Sequence, residues 1–155
     1  MRSSRMIGAG VIAAAALGLG AASVAAGPDI ASPVQIHVIE HAISDTVTDT
    51  GAAGDSSGDL LTFHNPIFDA SDSTRVGRDQ GDCIRISPEN GTWECRWVTR
   101  LAGGSITVEG PFFDTHDSAL AVTGGTGAYR NARGSMTLKS RAGGTEFDFI
   151  FNLIP

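Results

Sequence analysis

Glycine punctuates this chain too densely for a helix of any length to survive. Turn clusters recur at Pro88-Glu89-Asn90-Gly91, Gly103-Gly104, Gly124-Gly125-Thr126-Gly127 and Gly143-Gly144. A glycine inside a helix costs about 1 kcal/mol relative to alanine, and beyond the first 26 residues no window sustains a helical period. What lies between the clusters is short and rich in β-branched and aromatic residues: 34–43, 59–65, 75–87, 92–101, 105–110, 118–123, 134–140 and 146–153. Such runs, separated by turn residues, read as strands. Eight of them at even spacing predict an all-β chain, an eight-stranded antiparallel barrel around a central apolar cavity. Closure removes exposed edges, and about eight strands can enclose one small ligand. A two-sheet sandwich is the competing architecture. The Asp/Thr/Gly/Ser stretch 44–58 reads as a loop.

The N-terminus reads as an address. Arg2 and Arg5 precede an Ala/Gly/Leu/Ile run, and Val24-Ala25-Ala26 gives the small-residue pattern of a cleavage site before Gly27. Residues 1–26 are therefore expected to be a secretory signal peptide and 27–155 a single exported domain, secreted and off the membrane once the signal is cleaved. Charge narrows the partners. Of the 11 Lys and Arg, two lie in the signal, and the 17 Asp and Glu all lie in the domain. An acidic chain without a basic stripe is a poor polyanion binder, which argues against nucleic acid and anionic membranes.

Alternation in the first strand places Val34, Ile36, Val38, Glu40 and Ala42 on one face and Gln35, His37, Ile39, His41 and Ile43 on the other. If the more uniformly apolar face points inward, it takes Glu40 with it. A carboxyl among aliphatic side chains has a raised pKa and suits proton transfer near neutral pH. The alternative is a shifted register with Glu40 in solvent. His37-Val38-Ile39-Glu40-His41 matches an H-x-x-E-H zinc string, but that chemistry needs a helix to bring both histidines to one face. In a strand they lie ~13 Å apart, so no metal site is expected. The glycine-rich segment 124–127 lacks the Gly-Lys-Ser/Thr ending of a phosphate loop and reads as a turn. No Gly-x-Ser-x-Gly elbow is present. Cys83 and Cys95 flank the Pro88–Gly91 turn nearly symmetrically, as for a disulfide across a hairpin in an exported protein; a free Cys83 lining the cavity is the other reading. Trp93, Cys95 and Trp97 share one face of their strand, where large aromatics serve as core filler or cavity wall.

Several longer segments occur in order: Gly58-Asp59-Leu60-Leu61-Thr62-Phe63-His64-Asn65, Arg75-Val76-Gly77-Arg78-Asp79-Gln80-Gly81-Asp82-Cys83, Gly104-Ser105-Ile106-Thr107-Val108-Glu109-Gly110-Pro111-Phe112, and Asp117 through Gly127 followed by Tyr129-Arg130 and Ala132-Arg133-Gly134. Together they resemble the allene oxide cyclase and dirigent superfamily of β-barrels. The resemblance implies an eight-stranded antiparallel barrel with an apolar cavity, often trimeric. It also implies a job: cyclases of this family fold an unstable fatty-acid epoxide so that ring closure gives one stereoisomer, and dirigent proteins steer reactive phenolic intermediates. By position, Glu40 corresponds to the cyclases' catalytic Glu, Asn65 to the water-holding Asn of Phe-x-Asn, and Cys83 to a cavity Cys. Their second water-holding Asn is Ala42 here, and their following Ser-Pro has no counterpart in 44–58.

The function expected from all this is a secreted barrel that binds a small hydrophobic or aromatic molecule and guides its cyclisation or stereoselective coupling, without a cofactor. Glu40 and Asn65 would be catalytic, and Phe63, Cys83, Trp93, Trp97 and Phe112 would bind substrate. A non-catalytic carrier of the same fold and a plugged structural barrel are the alternatives.

Overall fold

The computed structural model describes residues 33–154, so the signal segment expected at 1–26 lies outside the described residues. Ten strands follow one another: β1 (Val34–His41), β2 (Thr46–Thr48), β3 (Leu60–Phe63), β4 (Pro66–Asp69), β5 (Arg75–Ser87), β6 (Thr92–Leu101), β7 (Gly104–Phe113), β8 (Ser118–Gly125), β9 (Arg133–Arg141) and β10 (Glu146–Ile154). A 3-10 turn at Gly127–Tyr129 joins β8 to β9. The ring β1-β4-β5-β6-β7-β8-β9-β10 is antiparallel and closes on itself, because β1 pairs with both β10 and β4 and β5 with both β4 and β6. The molecule is thus the eight-stranded barrel and not the sandwich.

The two short extra strands come from a shared interruption. β3 and β4 pair with successive halves of β5, from Leu60↔Ile84 to Phe63↔Gly81 and then from Pro66↔Arg78 onward. They form one line of wall broken at His64 and Asn65. Beside it, β1 and β2 form a second broken line, with β1 paired to β4 and β2 to β3. The stretch 44–58, expected as loop throughout, therefore contains β2; the strand expected at 59–65 ends at Phe63, and β4 follows where no strand was expected. β2 carries no apolar alternation to betray it, since Thr46, Val47 and Thr48 are all exposed. Pro66 disguises β4, although proline is tolerated as the first residue of a strand.

Period-two alternation fills the lumen as expected. Val38, Val108, Val122, Leu120, Met136, Phe149 and Phe151 point inward and form one core cluster. Each buried side chain of this kind contributes about 1.5–3 kcal/mol. Gly81 is required by its neighbour: a Cβ there would lie 2.3 Å from the Cβ of Trp97, its cross-strand partner, so the missing side chain makes room for the indole. Gly91 closes the β5–β6 hairpin with φ +59, a left-handed conformation that glycine adopts without steric cost.

That hairpin sets Cys83 directly opposite Cys95, and the two are disulfide-bonded. Both sulfurs are buried, so the free-thiol reading of Cys83 is overturned. The bond closes a loop of 12 residues' separation, for which chain entropy gives about 3 kcal/mol of stabilisation. Reduction, or replacement of both cysteines by serine, is expected to lower the thermal midpoint by roughly 10 °C. The check is calorimetry with and without reductant, and an unchanged midpoint would show that the ring of strands alone sets stability.

Candidate functional site

The shared interruption of the β1/β2 and β3/β4 lines gathers four polar side chains. Glu40, next to the end of β1, points inward and is 5% exposed. Asn65 occupies the break before β4 and is 1% exposed. Its Nδ2 donates to Glu40 Oε1 and to Asp45 Oδ1, both at 2.8 Å. Its Oδ1 accepts from the backbone N–H groups of Ile43 and Ser44 and from the Ser44 hydroxyl, each at 3.0 Å. Its own N–H donates to Asp79 Oδ1 at 2.9 Å. Asp79, fully buried on β5, completes the set by hydrogen bonding to Glu40. Asp45 stands at the exposed rim.

Two carboxyls that share a buried site cannot both ionise cheaply. Burial, and then the charge of Asp79, hold the Glu40 carboxyl well above the ordinary glutamate range, although the Asn65 amide pulls the other way. Burial also pushes Asp79 up, to about 6, while the hydrogen bond from Glu40 lowers it. The directions agree on one arrangement: Glu40 carries the proton and donates it to the Asp79 carboxylate. The pair titrates as a unit. It is an acid held ready in a site that water scarcely reaches, the environment in which a carboxylic acid transfers protons near neutral pH.

This acid lines the end of a lumen cavity of about 40 Å³. Phe63, Trp97, Phe112, Phe147 and Phe149 supply aromatic walls, and the Cys83–Cys95 disulfide, Leu61 and Leu138 complete them. Trp97 meets Phe149 at 5.4 Å and Phe63 at 6.0 Å between ring centroids. Phe112 and Phe147 meet edge to face at 5.9 Å, both only half-buried. Phe147 is also the cross-strand partner of Glu40.

The structure therefore brings Glu40, Asn65, Phe63, Cys83, Trp97 and Phe112 together. Trp93 falls outside the lining. Its ring lies under the Arg85 guanidinium, 4.3 Å from the centroid, and its Nε1 donates to Asp114. Missing from the sequence reading were Asp45, Asp79, Phe147 and Phe149. Parity contained three of them: Asp79 shares a strand face with Cys83, and Phe147, Phe149 and Phe151 alternate along β10. Asp45 sits in an irregular segment and had no signal.

The H-x-x-E-H string does not converge. Glu40 points inward, while His37 pairs with Asp148 and His41 with Asp72 on the outer wall, each at 2.7 Å. His41, Asp72 and Glu146 do bring one donor atom each within 4.8 Å of one another, with Arg141 also beside Glu146 at 4.0 Å.

Comparison with known proteins matches the sequence model of a family described as allene oxide cyclase over residues 29–153. Among solved structures, a pyocyanin demethylase superposes with a TM-score of 0.65 at 25% identity, covering 76% of this chain and 100% of that one. A pterocarpan synthase dirigent protein gives 0.66 at 19% identity, covering 81% and 96%. An exo-specific intermolecular Diels-Alderase gives 0.63 at 16% identity, covering 79% and 98%.

The raised pair has a consequence for stability. A carboxyl whose folded pKa exceeds its unfolded value stabilises the fold most below the unfolded pKa, and that contribution is lost as pH rises through the folded value. For Asp79 the window runs from about pH 4 to about 6, and Glu40 extends it upward. Chemical denaturation is expected to show the pair's contribution to stability falling steadily as pH rises from 4.5 to 7.5. Below about pH 4 the trend reverses. Asp59 is held low by backbone N–H groups of Thr50 and Ser56, and Asp69, at about 2, chiefly by that of Ser73. In a Glu40→Gln, Asp79→Asn double variant the slope between pH 4.5 and 7.5 should flatten; an unaltered slope would assign it to other groups.

Proposed function

The chain belongs to the allene oxide cyclase family, and from that premise we propose that its barrel binds a small apolar or aromatic molecule and guides its cyclisation or coupling. The observation that carries this reading is a buried Glu40, held by Asn65 and beside Asp79, lining an aromatic lumen. The Glu40 hydroxyl lends its proton to an oxygen of the bound molecule as the new bond forms, and Asp79 keeps the returning proton within reach. Because the proton is recovered, an isomerisation needs no other reactant. Asn65 is a positioning residue that fixes the Glu40 carboxyl. The rings hold the molecule in one near-attack geometry and exclude water.

Ligands of drug size need about 300 Å³ or more, whereas the closed lumen offers about 40 Å³. Binding therefore requires rings to move, and Phe63, Phe112 and Phe147, the half-buried rings of the lining, are the least confined. Export from Gly27 onward belongs to the same reading and is supported by the disulfide, which persists in oxidising compartments. A homotrimer is part of it too. Leu60 and Ile84, paired on the outer wall and exposed, offer apolar surface for such contact.

Glu40→Gln keeps the shape and the Asn65 hydrogen bond but cannot donate an acidic proton. Turnover of the molecule that co-purifies with the mature protein should fall by about 10²–10⁴, with affinity within a few-fold. Retained turnover would remove Glu40 from the chemistry, and a tightly held molecule that the wild type never converts would make the protein a carrier. Phe147→Ala should enlarge the lumen, raise the binding of an apolar fluorescent dye several-fold and lower the thermal midpoint. A lumen that still excludes dye would favour a plugged barrel.

A further inference from the structure

Two carboxyls, Glu40 and Asp45, line the lumen, with Asp79 buried beside Glu40, and among the described residues that line the cavity there is no Lys, Arg or His. Arg85, on the same face of β5 as Cys83, does not alter this balance. Its guanidinium makes paired hydrogen bonds to Asp55 at 2.6 and 2.7 Å and a third to Asp114 at 2.6 Å. Five aromatic rings line the cavity, and aromatic faces carry negative charge at their centres and attract cations. An anionic group entering this lumen would pass Asp45 at the exposed rim and lose its hydration inside with no counterion to receive it. A cationic group would meet a carboxylate and aromatic faces together.

We propose that the lumen selects for positive charge, taking a planar aromatic molecule that bears a cationic nitrogen in preference to a carboxylate of the same shape. The proposal rests on the reading of the lumen as a ligand site and names the charge class of what enters it. The barrel already makes this combination once within itself: Arg85 lies 4.3 Å above the Trp93 ring, with carboxylates of Asp55 and Asp114 at its edges. At the cavity, the rings of Trp97, Phe63 and Phe147 and the Asp45 carboxylate line one space together. The excess of acidic residues, 17 against 11 basic, also raises the local concentration of cations over anions around the mouth. A fatty-acid carboxylate, in contrast, has no cationic side chain to hold its head in the cavity.

Three bicyclic probes of one size separate the outcomes: 1-methylquinolinium, naphthalene and 2-naphthoate, measured by equilibrium dialysis against the disulfide-intact mature protein at pH 7.5. The expected result is at least ~10-fold tighter binding of the quinolinium than of naphthoate, with naphthalene between them. Asp45→Asn should reduce that ratio several-fold. The exposed Glu89 of the β5–β6 turn, changed as Glu89→Gln, removes the same formal charge far from the cavity and should leave it unchanged. Equal binding of quinolinium and naphthoate, or a ratio that responds to Glu89→Gln as much as to Asp45→Asn, would overturn charge selection while leaving the ligand site standing. Failure of all three probes to bind, naphthalene included, would overturn the ligand site itself and the proposal with it.

Discussion

One carboxamide ties the barrel wall to its chemistry. Asn65 has both N–H bonds committed to carboxylates and its oxygen committed to two backbone N–H groups and a hydroxyl. Those backbone donors belong to Ile43 and Ser44, the residues at which the β1/β2 line breaks, so the amide supplies the hydrogen bonds that a continuous ladder would have made. Leaving a buried donor or acceptor unmade costs about 1–3 kcal/mol, and this one side chain prevents several such losses. The break in the wall and the polar cluster are therefore a single feature. The strands part where Asn65 can satisfy them, and the parting lets Asp45 and Asp79 approach Glu40.

The rest of the lumen gives that cluster its character. Phe147 opposite Glu40, and Trp97 packed between Phe63 and Phe149, keep water away from the acid pair. Desolvation is the first cause of the raised pKa of both carboxyls. The acid pair lowers stability near neutral pH, so the fold must recover that loss elsewhere. Ring closure, the inward Val, Leu, Met and Phe side chains and the Cys83–Cys95 bond do so. A tighter, fully aliphatic lumen would be more stable and chemically inert, a trade common at functional sites.

Most of the barrel was legible because period-two alternation and glycine punctuation are local signals. Every run read as a strand carries one, and the inward parity of Val38 and Glu40 followed from the same rule. The disulfide was half legible: near-symmetric flanking of the Pro88–Gly91 turn placed the cysteines opposite each other, but only the structure excludes a free thiol. What stayed hidden was non-local. Asp79 became a partner of Glu40 only through a break in the neighbouring wall, and Asp45 joined them from a segment with no period. Trp93 lies outside the cavity lining although it shares a strand face with Trp97, because parity reports facing and not position along the strand; Arg85 lies over its ring.

Family resemblance placed a water-holding Asn two residues beyond the catalytic Glu, and this chain has Ala42 there. Ala42 makes only a backbone bond, donating its N–H to the Thr145 carbonyl at 2.9 Å. The polar groups around Glu40 come from other elements: Asp79 on β5, Asn65 before β4, and Asp45 three residues beyond Ala42. An amide can only orient a water or a substrate. A carboxyl can also hold a proton in reserve, so Asp79 makes the buried acid one of a coupled pair, with Asp45 at the rim. That arrangement bears directly on which molecules the lumen tolerates, because a site whose polar end holds carboxylates and no cation is hostile to anionic head groups. The scaffold is shared with fatty-acid cyclases by resemblance, while the charge at the site argues for a different occupant.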